Sequence, residues 1–487
     1  MTTPPTPFYD SPTGARHDRE QNAAQPLADA SKMFELSVFV GNIVDPWSCL
    51  EVASRHPQWL AWAQPSRHAC WLAWGATDRY ESFFRGPQAQ RYSCGQEQVD
   101  GQRQEAAEAP FWVGGNAFFR DQKAFRGAWQ GWPRSAGWTP RVVLLRRRRG
   151  GCLLLLRGRD AAALEHHLAR VKQQLLTACG GSPPQPLPAS VGGATGATAA
   201  VLAPPGDAAQ HRYRTLVARA AHATTLPPLR KVVVARAHDW RAPAGSHFDA
   251  LASVRALRQQ QPNATSFALS LCGGGEVDGA VFVGATPERL LKLRGTALRT
   301  HALAATAHAG GGNLKSPKMV HEHQLVVDGL RRDLQPLCQR LRVAPPTRLR
   351  AGTLVHLASD IEGHLKPNIT LQQLVQTLHP SAALGGFPRA QALAWLRQHE
   401  RLERGWYGGP VGYLDGDGGG EVVVAIRSAL LRHRRARAYV GAGIVADSSP
   451  HEEWQETEAK LATIANALCL QPQPASAAAS APPQFAP

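Results

Sequence analysis

Three glutamates on two expected helices are candidates for holding a divalent metal ion. Glu322 stands between His321 and His323, and Glu453 and Glu456 lie near the C-terminus. Carboxylate oxygens are the ligands that Mg²⁺ prefers, and a bound Mg²⁺ often bridges to an anionic substrate. Each glutamate alone is better explained as part of a solvated helix face, so the predicted magnesium site requires the two helices to meet.

Zinc and calcium explain these patterns less well. His321 and His323 are two residues apart and point to different helix faces, which argues against zinc. The run from Asp415 to Gly418 looks like the start of a calcium loop. However, the next glutamate comes too early for an EF-hand, and no helices flank the segment. We interpret that run as a hairpin turn.

A glycine pair and an arginine indicate a site for a carboxylated molecule. Gly441-Ala442-Gly443 ends a predicted strand, where glycines let backbone N–H groups approach an anion closely. Arg427, on the neighbouring predicted strand, offers a guanidinium that can clamp a carboxylate through two hydrogen bonds. Together with the glutamates, these residues indicate a small anionic ligand.

Two helices must position the glutamates. The first is predicted to begin at Ser316-Pro317, a good N-cap followed by proline at the first helical position. The second is predicted to begin at Ser449-Pro450, with Glu452 at the spacing of a capping box. The predicted buried positions are Val320, Val327, Leu330 and Leu334 on the first helix, and Trp454, Leu461, Ile464 and Leu468 on the second. On the second helix, spacings of three and four residues place Glu453, Glu456 and Lys460 on one face.

Strand-like runs precede the second helix. Residues 409–415, 421–431 and 436–446 are rich in β-branched and aliphatic residues and are separated by short turns, which predicts an antiparallel meander. Upstream, Phe111–Phe119 predicts a strand interrupted by Gly-Gly, and two apolar runs around Arg146–Arg149 predict a hairpin. A helix is predicted over 160–178, with Leu164, Leu168, Val171 and Leu175 on one face.

The 487 residues carry a net charge of +17. Such a charge suits a nucleic-acid binder, but it equally suits arginine enrichment in an enzyme that attracts an anionic substrate. The eight cysteines form no CxxC pair, which is typical of reduced thiols in a cytoplasmic protein. No long apolar run or secretory signal is recognisable, so we expect no membrane association.

The composition divides the chain into five segments. Residues 1–34 and 471–487 are polar, proline-rich or low in complexity, which predicts disorder. Residues 35–179 are expected to form an N-terminal subdomain, and 180–212 a low-complexity linker or insertion. Residues 213–470 hold all of the candidate site residues and are expected to form the catalytic region.

The chain resembles the chorismate-utilising enzymes, a family that includes isochorismate, salicylate, anthranilate and aminodeoxychorismate synthases. The similarity rests on 405–431 and 439–460, and on four shorter blocks at 231–236, 282–291, 321–330 and 378–388. It covers roughly 213–468, with a weaker match at Phe111–Phe119. The resemblance implies an α+β fold in which two sheet-plus-helix subdomains pack around one central active site.

The resemblance also implies roles for individual residues. Lys231 corresponds to the general base that activates water, and Glu288 to the general acid that protonates the departing C4 hydroxyl. The three glutamates correspond to the Mg²⁺ ligands. The implied substrate-binding positions are Thr306, His356, Ala383, Tyr407, Arg427, Gly441, Ala442, Gly443 and Lys460. For this chemistry an amine base needs a lowered pKa and a carboxylic acid a raised one.

Three positions distinguish members of the family, as the resemblance implies. Lys231 stands where aminating members carry glutamine, Ala304 where one type of aminodeoxychorismate synthase carries a nucleophilic lysine, and Ala383 where salicylate synthases tend to carry threonine. The resemblance therefore favours a magnesium-dependent isochorismate synthase, an isomerase serving menaquinone, phylloquinone, salicylate or siderophore synthesis. We expect it to be a monomer or homodimer that binds chorismate and no nucleic acid.

The sequence leaves two alternatives open. A salicylate synthase or an aminating chorismate enzyme uses the same framework, and a basic nucleic-acid-binding protein on an inactive scaffold lies outside the class. The chain also departs from the family near the site, because Ala305 replaces a glycine and Met319 an aspartate, and the segment between Glu288 and Glu322 is short.

Overall fold

The computed structural model describes residues 34–40, 43, 45–64, 69–80, 108–121, 124–147, 150–180, 206–271, 279–308, 314–352 and 354–472. The predicted disordered termini lie outside these residues, except that Phe34 begins the first strand and the last strand ends at Pro472. Most of the predicted linker 180–212 also lies outside them. Its C-terminal boundary is wrong, because a helix already begins at Asp207.

Among the described residues the chain forms eight α-helices. They are α1 Leu50–Ser54, α2 Ala161–Gly180, α3 Asp207–Thr224, α4 Ala250–Gln260, α5 Pro317–Leu334, α6 Leu371–Leu378, α7 Arg389–His399 and α8 Pro450–Ala465. The helix predicted over 160–178 is confirmed as α2, with Leu164, Val171 and Leu175 buried and Leu168 partly buried.

The strands outnumber the helices. They are β1 Phe34–Val40, β2 Trp59–Gln64, β3 Ala69–Tyr80, β4 Pro110–Asn116, β5 Ser135–Arg146, β6 Cys152–Gly158, β7 Lys231–Arg241, β8 Ser246–Asp249, β9 Thr265–Ser270, β10 Val281–Thr286, β11 Arg289–Arg294, β12 Ala297–His308, β13 Cys338–Val343, β14 Thr347–Ala351, β15 Leu354–Leu365, β16 Gly386–Phe387, β17 Pro410–Asp415, β18 Gly420–Val424, β19 Ser428–Arg432, β20 Arg435–Ile444 and β21 Cys469–Pro472.

In the described part of the chain, all strand pairs are antiparallel and all strands except β8 and β21 join one continuous sheet system. Strands from the N-terminal region pair with strands from the catalytic region. Thus β2 lies beside β9, and β4 beside β17. The fold is α+β, as predicted, and residues on both sides of the predicted linker share its hydrogen bonds.

The predicted meander is wrong in its connections. Two hairpins form, β17–β18 and β19–β20, but β18 pairs with β11 and β19 with β10. The chain changes partners at Arg427, whose φ of 48° breaks the extended run. Arg427 therefore lies between two strands and not on one. The hairpin turn predicted over Asp415–Gly418 is confirmed between β17 and β18, and so is the β5–β6 hairpin.

The two functional helices pack on the sheet through one apolar cluster. Val326 and Leu330 of α5 share this cluster with Trp454 of α8, with Leu374 of α6 and with strand residues that include Val232 of β7. Burial of such side chains stabilises the fold by about 1.5–3 kcal/mol each. Through the shared cluster, α5 packs on β12 and α8 on β20, the strand that pairs with β7.

The start of each functional helix was predicted correctly, but one detail of each helix was not. The hydroxyl of Ser316 accepts a hydrogen bond from the Met319 N–H and caps α5. In contrast, the side chain of Ser449 makes no capping hydrogen bond, so the capping box predicted for α8 is wrong. Val320 is also wrong as a buried residue. It is 51% exposed, because α5 turns Glu322 and His323 inward instead.

Of the five cysteines whose surroundings are described, Cys49, Cys70, Cys152 and Cys338 are buried and Cys469 is partly buried. None of the helices in the described ranges is both long and apolar enough to cross a membrane.

Candidate active site

One cavity brings together residues from distant parts of the chain. Its walls include twelve of the fourteen predicted site residues: Lys231, Glu288, Thr306, Glu322, His356, Ala383, Tyr407, Arg427, Gly441, Gly443, Glu456 and Lys460. The other two predicted residues are Ala442 and Glu453. The side chain of Ala442 is buried in the apolar cluster beneath β20, since successive strand residues face opposite ways.

Lys231 begins β7 and is almost completely buried, with 1% of its surface exposed. Its Nζ lies 3.0 Å from Oε1 of Glu322 on α5. Gly443 of β20 lies beneath this pair. A Cβ there would stand 2.2 Å from Glu322 Oε1 and 2.7 Å from Lys231 Cε. The second glycine of the sequence motif therefore makes room for the lysine and the glutamate, a role that the sequence did not indicate.

A buried ion pair fixes the β7 strand that carries Lys231. The short strand β16 pairs only with Lys231 and Val232. Farther along, the Ala235 N–H donates to Glu400 Oε2 at 2.7 Å, and Arg404 donates to the Val233 carbonyl at 2.6 Å. Arg404 and Glu400 also bond each other at 2.6 Å, and each side chain is only 2% exposed. Two side chains thus continue the ladder that β16 begins.

Glu288 is held between β10 and β11 by hydrogen bonds to its own backbone. Its N–H donates to the Thr286 hydroxyl at 3.1 Å, and its carbonyl accepts from the Val424 N–H at 3.1 Å. Burial raises the pKa of the carboxyl to about 7, although the positive charges of Lys231, Lys460 and Arg427 oppose this rise. With this pKa a substantial fraction of the carboxyl is protonated at neutral pH, as the predicted general acid requires.

Arg427 and His356 form part of a cationic wall. The guanidinium donates to His356 Nε2 at 3.3 Å, and burial lowers the pKa of Arg427 to about 10, so it stays charged at neutral pH. Burial and then Arg427 lower the pKa of His356, which keeps the ring neutral. Because Nε2 accepts, Nδ1 carries the proton and donates to the Thr306 hydroxyl at 3.0 Å. These two hydrogen bonds hold the guanidinium of Arg427 in the wall of the cavity.

Tyr407 and Lys460 complete the polar lining. Tyr407 stacks on Tyr439 with ring centroids 5.3 Å apart, and burial raises the pKa of its phenol, which therefore remains a hydrogen-bond donor. Lys460 donates to the Gly441 carbonyl at 2.9 Å and to Glu456 Oε1 at 2.5 Å. A protonated tyrosine beside a lysine and an arginine suits the carboxylates of an anionic ligand.

Each predicted metal ligand is paired with a lysine. The distances from lysine Nζ to carboxylate oxygen are 3.0 Å for Lys231–Glu322, 2.8 Å for Lys318–Glu453 and 2.5 Å for Lys460–Glu456. The sequence did not identify Lys318. Its position one turn before Glu322 on the same helix was the available signal.

The donor set fits a hard divalent cation. Burial, followed by the nearby charges of Glu456 and Glu322, raises the pKa of Glu453 to about 7. A cation that takes oxygen ligands would relieve this repulsion. As arranged, however, no three acidic, histidine or cysteine side chains within the described ranges lie close enough to hold one ion. A metal would therefore replace at least one lysine ammonium group as the partner of these carboxylates.

Two of the sequence departures near the site belong to one small apolar cluster. Ala305, the alanine at the family's glycine position, packs with Leu314 and Leu357, and Met319 lies against the same small cluster. Ala305 adopts a φ of 57° at a bulge between β12 and β15. The left-handed region disfavours any side chain, so this position stores backbone strain beside the cavity.

The substitution Ala305→Gly is expected to change the free energy of unfolding by less than about 0.8 kcal/mol. Relief of the left-handed strain gains about 1–2 kcal/mol, whereas glycine entropy costs about 0.5–1 kcal/mol and the lost methyl about 0.8 kcal/mol. Ala302→Gly on the same strand is the control. It has no positive φ and is fully buried, and should cost about 1.5 kcal/mol. Urea unfolding measures both, and equal costs would contradict the strain.

Comparison with known proteins gives the site a context. A family model described as chorismate binding enzyme matches residues 20–469. The salicylate biosynthesis isochorismate synthase of Pseudomonas aeruginosa is 41% identical over 226 residues, which is 44% of this chain and 46% of that protein. The isochorismate synthase EntC of Escherichia coli is 36% identical over 272 residues, which is 54% of this chain and 68% of that protein. The alignment thus spans about half the length of the first relative.

The fold agrees with a solved structure over a longer span. The menaquinone-specific isochorismate synthase MenF from Escherichia coli superposes with a TM-score of 0.66 at 26% identity, covering 90% of this chain and 94% of that one. The anthranilate synthase component I from Streptococcus pneumoniae, at 20% identity and a TM-score of 0.61, shares the fold. The family and fold that the sequence predicted are confirmed.

Proposed function

Because this chain belongs to the chorismate-binding enzyme family, we propose that it is an isochorismate synthase, an isomerase that converts chorismate to isochorismate. The observation that carries the proposal is the placement of Lys231 and Glu288 in one cavity, with the pKa of Glu288 raised to about 7. An amine and a protonated carboxylic acid supply the base and the acid that this exchange of hydroxyl groups needs.

The reaction adds one water and releases another. Lys231 accepts a proton from the water whose oxygen bonds to C2, and the ring double bonds shift as the C4–oxygen bond breaks. Glu288 gives its proton to the departing hydroxyl, which leaves as water. Afterwards Lys231 releases its extra proton to solvent and Glu288 takes one up from solvent, so the reaction neither consumes nor releases protons.

Two cationic residues and a tyrosine orient the substrate for this exchange. Arg427, Tyr407 and Lys460 line the cavity and present donors that suit the two carboxylates of chorismate. Burial of Arg427 strengthens its attraction for an anion, since water screens it little. His356 holds Arg427 in place from behind.

The choice of water as nucleophile is supported by two residues. Lys231 is present where the resemblance gives aminating members a glutamine, and Ala383, which lines the cavity, stands where it gives salicylate synthases a threonine. The pathway served, a cytoplasmic location, the absence of nucleic-acid binding and a monomeric or homodimeric state stay predictions.

We propose Mg²⁺ as the cofactor. Glu322, Glu453 and Glu456 would hold it, and the ion would neutralise substrate carboxylate charge and fix the ring in place. The support is chemical, because three buried or partly buried carboxylates on two adjacent helices offer hard oxygen donors.

Magnesium is expected to stabilise the protein against unfolding. At 100 times its dissociation constant, Mg²⁺ should raise the free energy of unfolding by about 2.7 kcal/mol, visible as a higher thermal midpoint. The variant Glu453→Gln should lose most of this gain. Glu452→Gln is the matched control, since its side chain is 67% exposed. An undiminished gain in Glu453→Gln would contradict its assignment as a ligand.

Product analysis tests the function directly. Purified protein is incubated with chorismate and Mg²⁺, and the products are separated by chromatography. Isochorismate is the expected product. Salicylate with pyruvate, or dependence on ammonia, would instead identify the other members of the family. No turnover together with tight, salt-sensitive binding of DNA or RNA would refute an enzymatic role.

A further inference from the structure

We infer that His301 is a positioning residue for Glu288, the general acid of the proposed function on which this inference rests. Its ring contacts the peptide groups on both sides of that glutamate.

The contacts are specific. The N–H of Arg289, the residue after Glu288, donates to His301 Nε2 at 3.2 Å. The carbonyl of Pro287, the residue before Glu288, is a hydrogen-bond acceptor for the same ring. One imidazole on β12 therefore spans the backbone that carries the acid.

The local strand geometry explains why a side chain is needed here. The pairing of β11 with β12 covers only three residue pairs, from Lys292 opposite Arg299 to Arg294 opposite Ala297. On the other edge of β11, the register with β18 shifts between Arg289 and Leu291. Bulges of this kind redirect side chains beside active sites. The Arg289 N–H has no β12 backbone partner, and His301 fills the gap between the diverging strands.

The ring is in the correct state for this role. Burial, followed by the positive charge of Arg289, lowers the pKa of His301 to about 4. Because Nε2 accepts from Arg289, the proton of the neutral ring stands on Nδ1. A protonated ring could not accept at Nε2, so the arrangement persists through the physiological pH range.

The consequence for catalysis is geometric. Glu288 must meet a leaving hydroxyl, and a displacement of about 1 Å can cost about 100-fold in rate. Thr286 and Val424 bond the N–H and the carbonyl of Glu288, and His301 bonds the opposite ends of the same two peptide groups. Without the ring, the Arg289 N–H would lose this hydrogen-bond acceptor.

The test compares His301→Leu, which removes both hydrogen bonds, with His301→Gln, whose amide can donate and accept. The control is His364→Leu on β15, which is exposed and hydrogen-bonds only Thr296 among the described residues. We expect His301→Leu to lower kcat about 100-fold with KM within about threefold, and His301→Gln to recover part of the loss. The control should match wild type.

Two further readouts separate positioning from a merely structural role. The pH at which kcat declines should fall in His301→Leu, because a looser backbone lets water reach Glu288, whose neighbours Lys231, Lys460 and Arg427 are unchanged. Hydrogen exchange of residues 287–291, followed by mass spectrometry, should accelerate in His301→Leu and not in the control.

The inference is overturned if His301→Leu keeps the wild-type kcat, pH profile and exchange. The inference is also overturned if the leucine and glutamine variants lose the same amount of kcat and of kcat/KM while the hydrogen exchange of residues 287–291 stays as in wild type. If His301→Leu does not fold, His301→Gln decides the question: accelerated exchange of residues 287–291 in a folded variant that keeps the wild-type kcat and pH profile would overturn the inference. Failure of the wild type to form isochorismate refutes the proposed function alone, since the exchange measurement does not depend on turnover.

Discussion

The substitution Glu288→Gln is expected to lower kcat by about 10²–10⁴-fold, the range associated with a lost general acid. Glutamine keeps the shape and the hydrogen-bonding oxygen of the side chain but has no acidic proton. Chorismate affinity should change little, because Arg427, Tyr407 and Lys460 remain in the cavity. Single-turnover rates and equilibrium binding of chorismate measure the two effects separately.

The pH dependence gives this prediction a sign. Glu288 must be protonated to act, and its pKa is raised to about 7. The contribution of the protonated acid to the wild-type kcat should therefore be complete below that pH and be lost as pH rises through it. The residual activity of Glu288→Gln should not show this decline. Glu362→Gln, whose side chain is 52% exposed, serves as control. A decline that persists in Glu288→Gln would assign it to another group.

Removal of Arg404 is expected to produce the largest loss of stability. Arg404→Leu leaves Glu400 charged, buried and without its partner, which typically costs about 3–5 kcal/mol. It also leaves the Val233 carbonyl without a donor. Urea unfolding should show a midpoint well below that of wild type, and the surviving folded fraction should turn over chorismate slowly because β7 carries Lys231.

Two comparisons make the stability prediction specific. The double variant Glu400→Gln/Arg404→Leu should be more stable than Arg404→Leu alone, since glutamine removes the buried charge and still accepts from Ala235 N–H. Arg397→Leu removes a pair with Asp121 in which both side chains are largely exposed, and should cost less than about 1 kcal/mol. If all three variants matched, the buried pair would not be a special support of the strand.

The sequence identified the chemistry of the site better than its support. Residues that touch the ligand lie in short contiguous blocks, and their types follow from the reaction. Arg404 with Glu400, Lys318 and His301 were missed because each acts on a segment remote in sequence. Arg404, for example, bonds the carbonyl of Val233, 171 residues earlier. Neither periodicity nor propensity contains that pairing.

The errors in local structure have a related cause. Residues 421–431 read as one strand because no glycine, proline or asparagine interrupts them. The break at Arg427 is set by tertiary contacts, including the pairing of β18 and β19 with different strands. Val320 fits a helical apolar stripe, yet the helix is rotated so that Glu322 reaches Lys231. In both places tertiary contacts at the cavity determine the structure, and the local sequence pattern alone does not.

The shared sheet determines what can be cut from this protein. All the residues of the cavity lie after position 230, which invites the view that the catalytic region is a separable module. Yet the edges of β9 and β17 are closed by β2 and β4 from the first third of the chain. A shortened polypeptide beginning at 213 would expose two apolar strand edges, and such edges recruit other chains. By covering these edges, β2 and β4 of the N-terminal region keep the catalytic half from associating with itself.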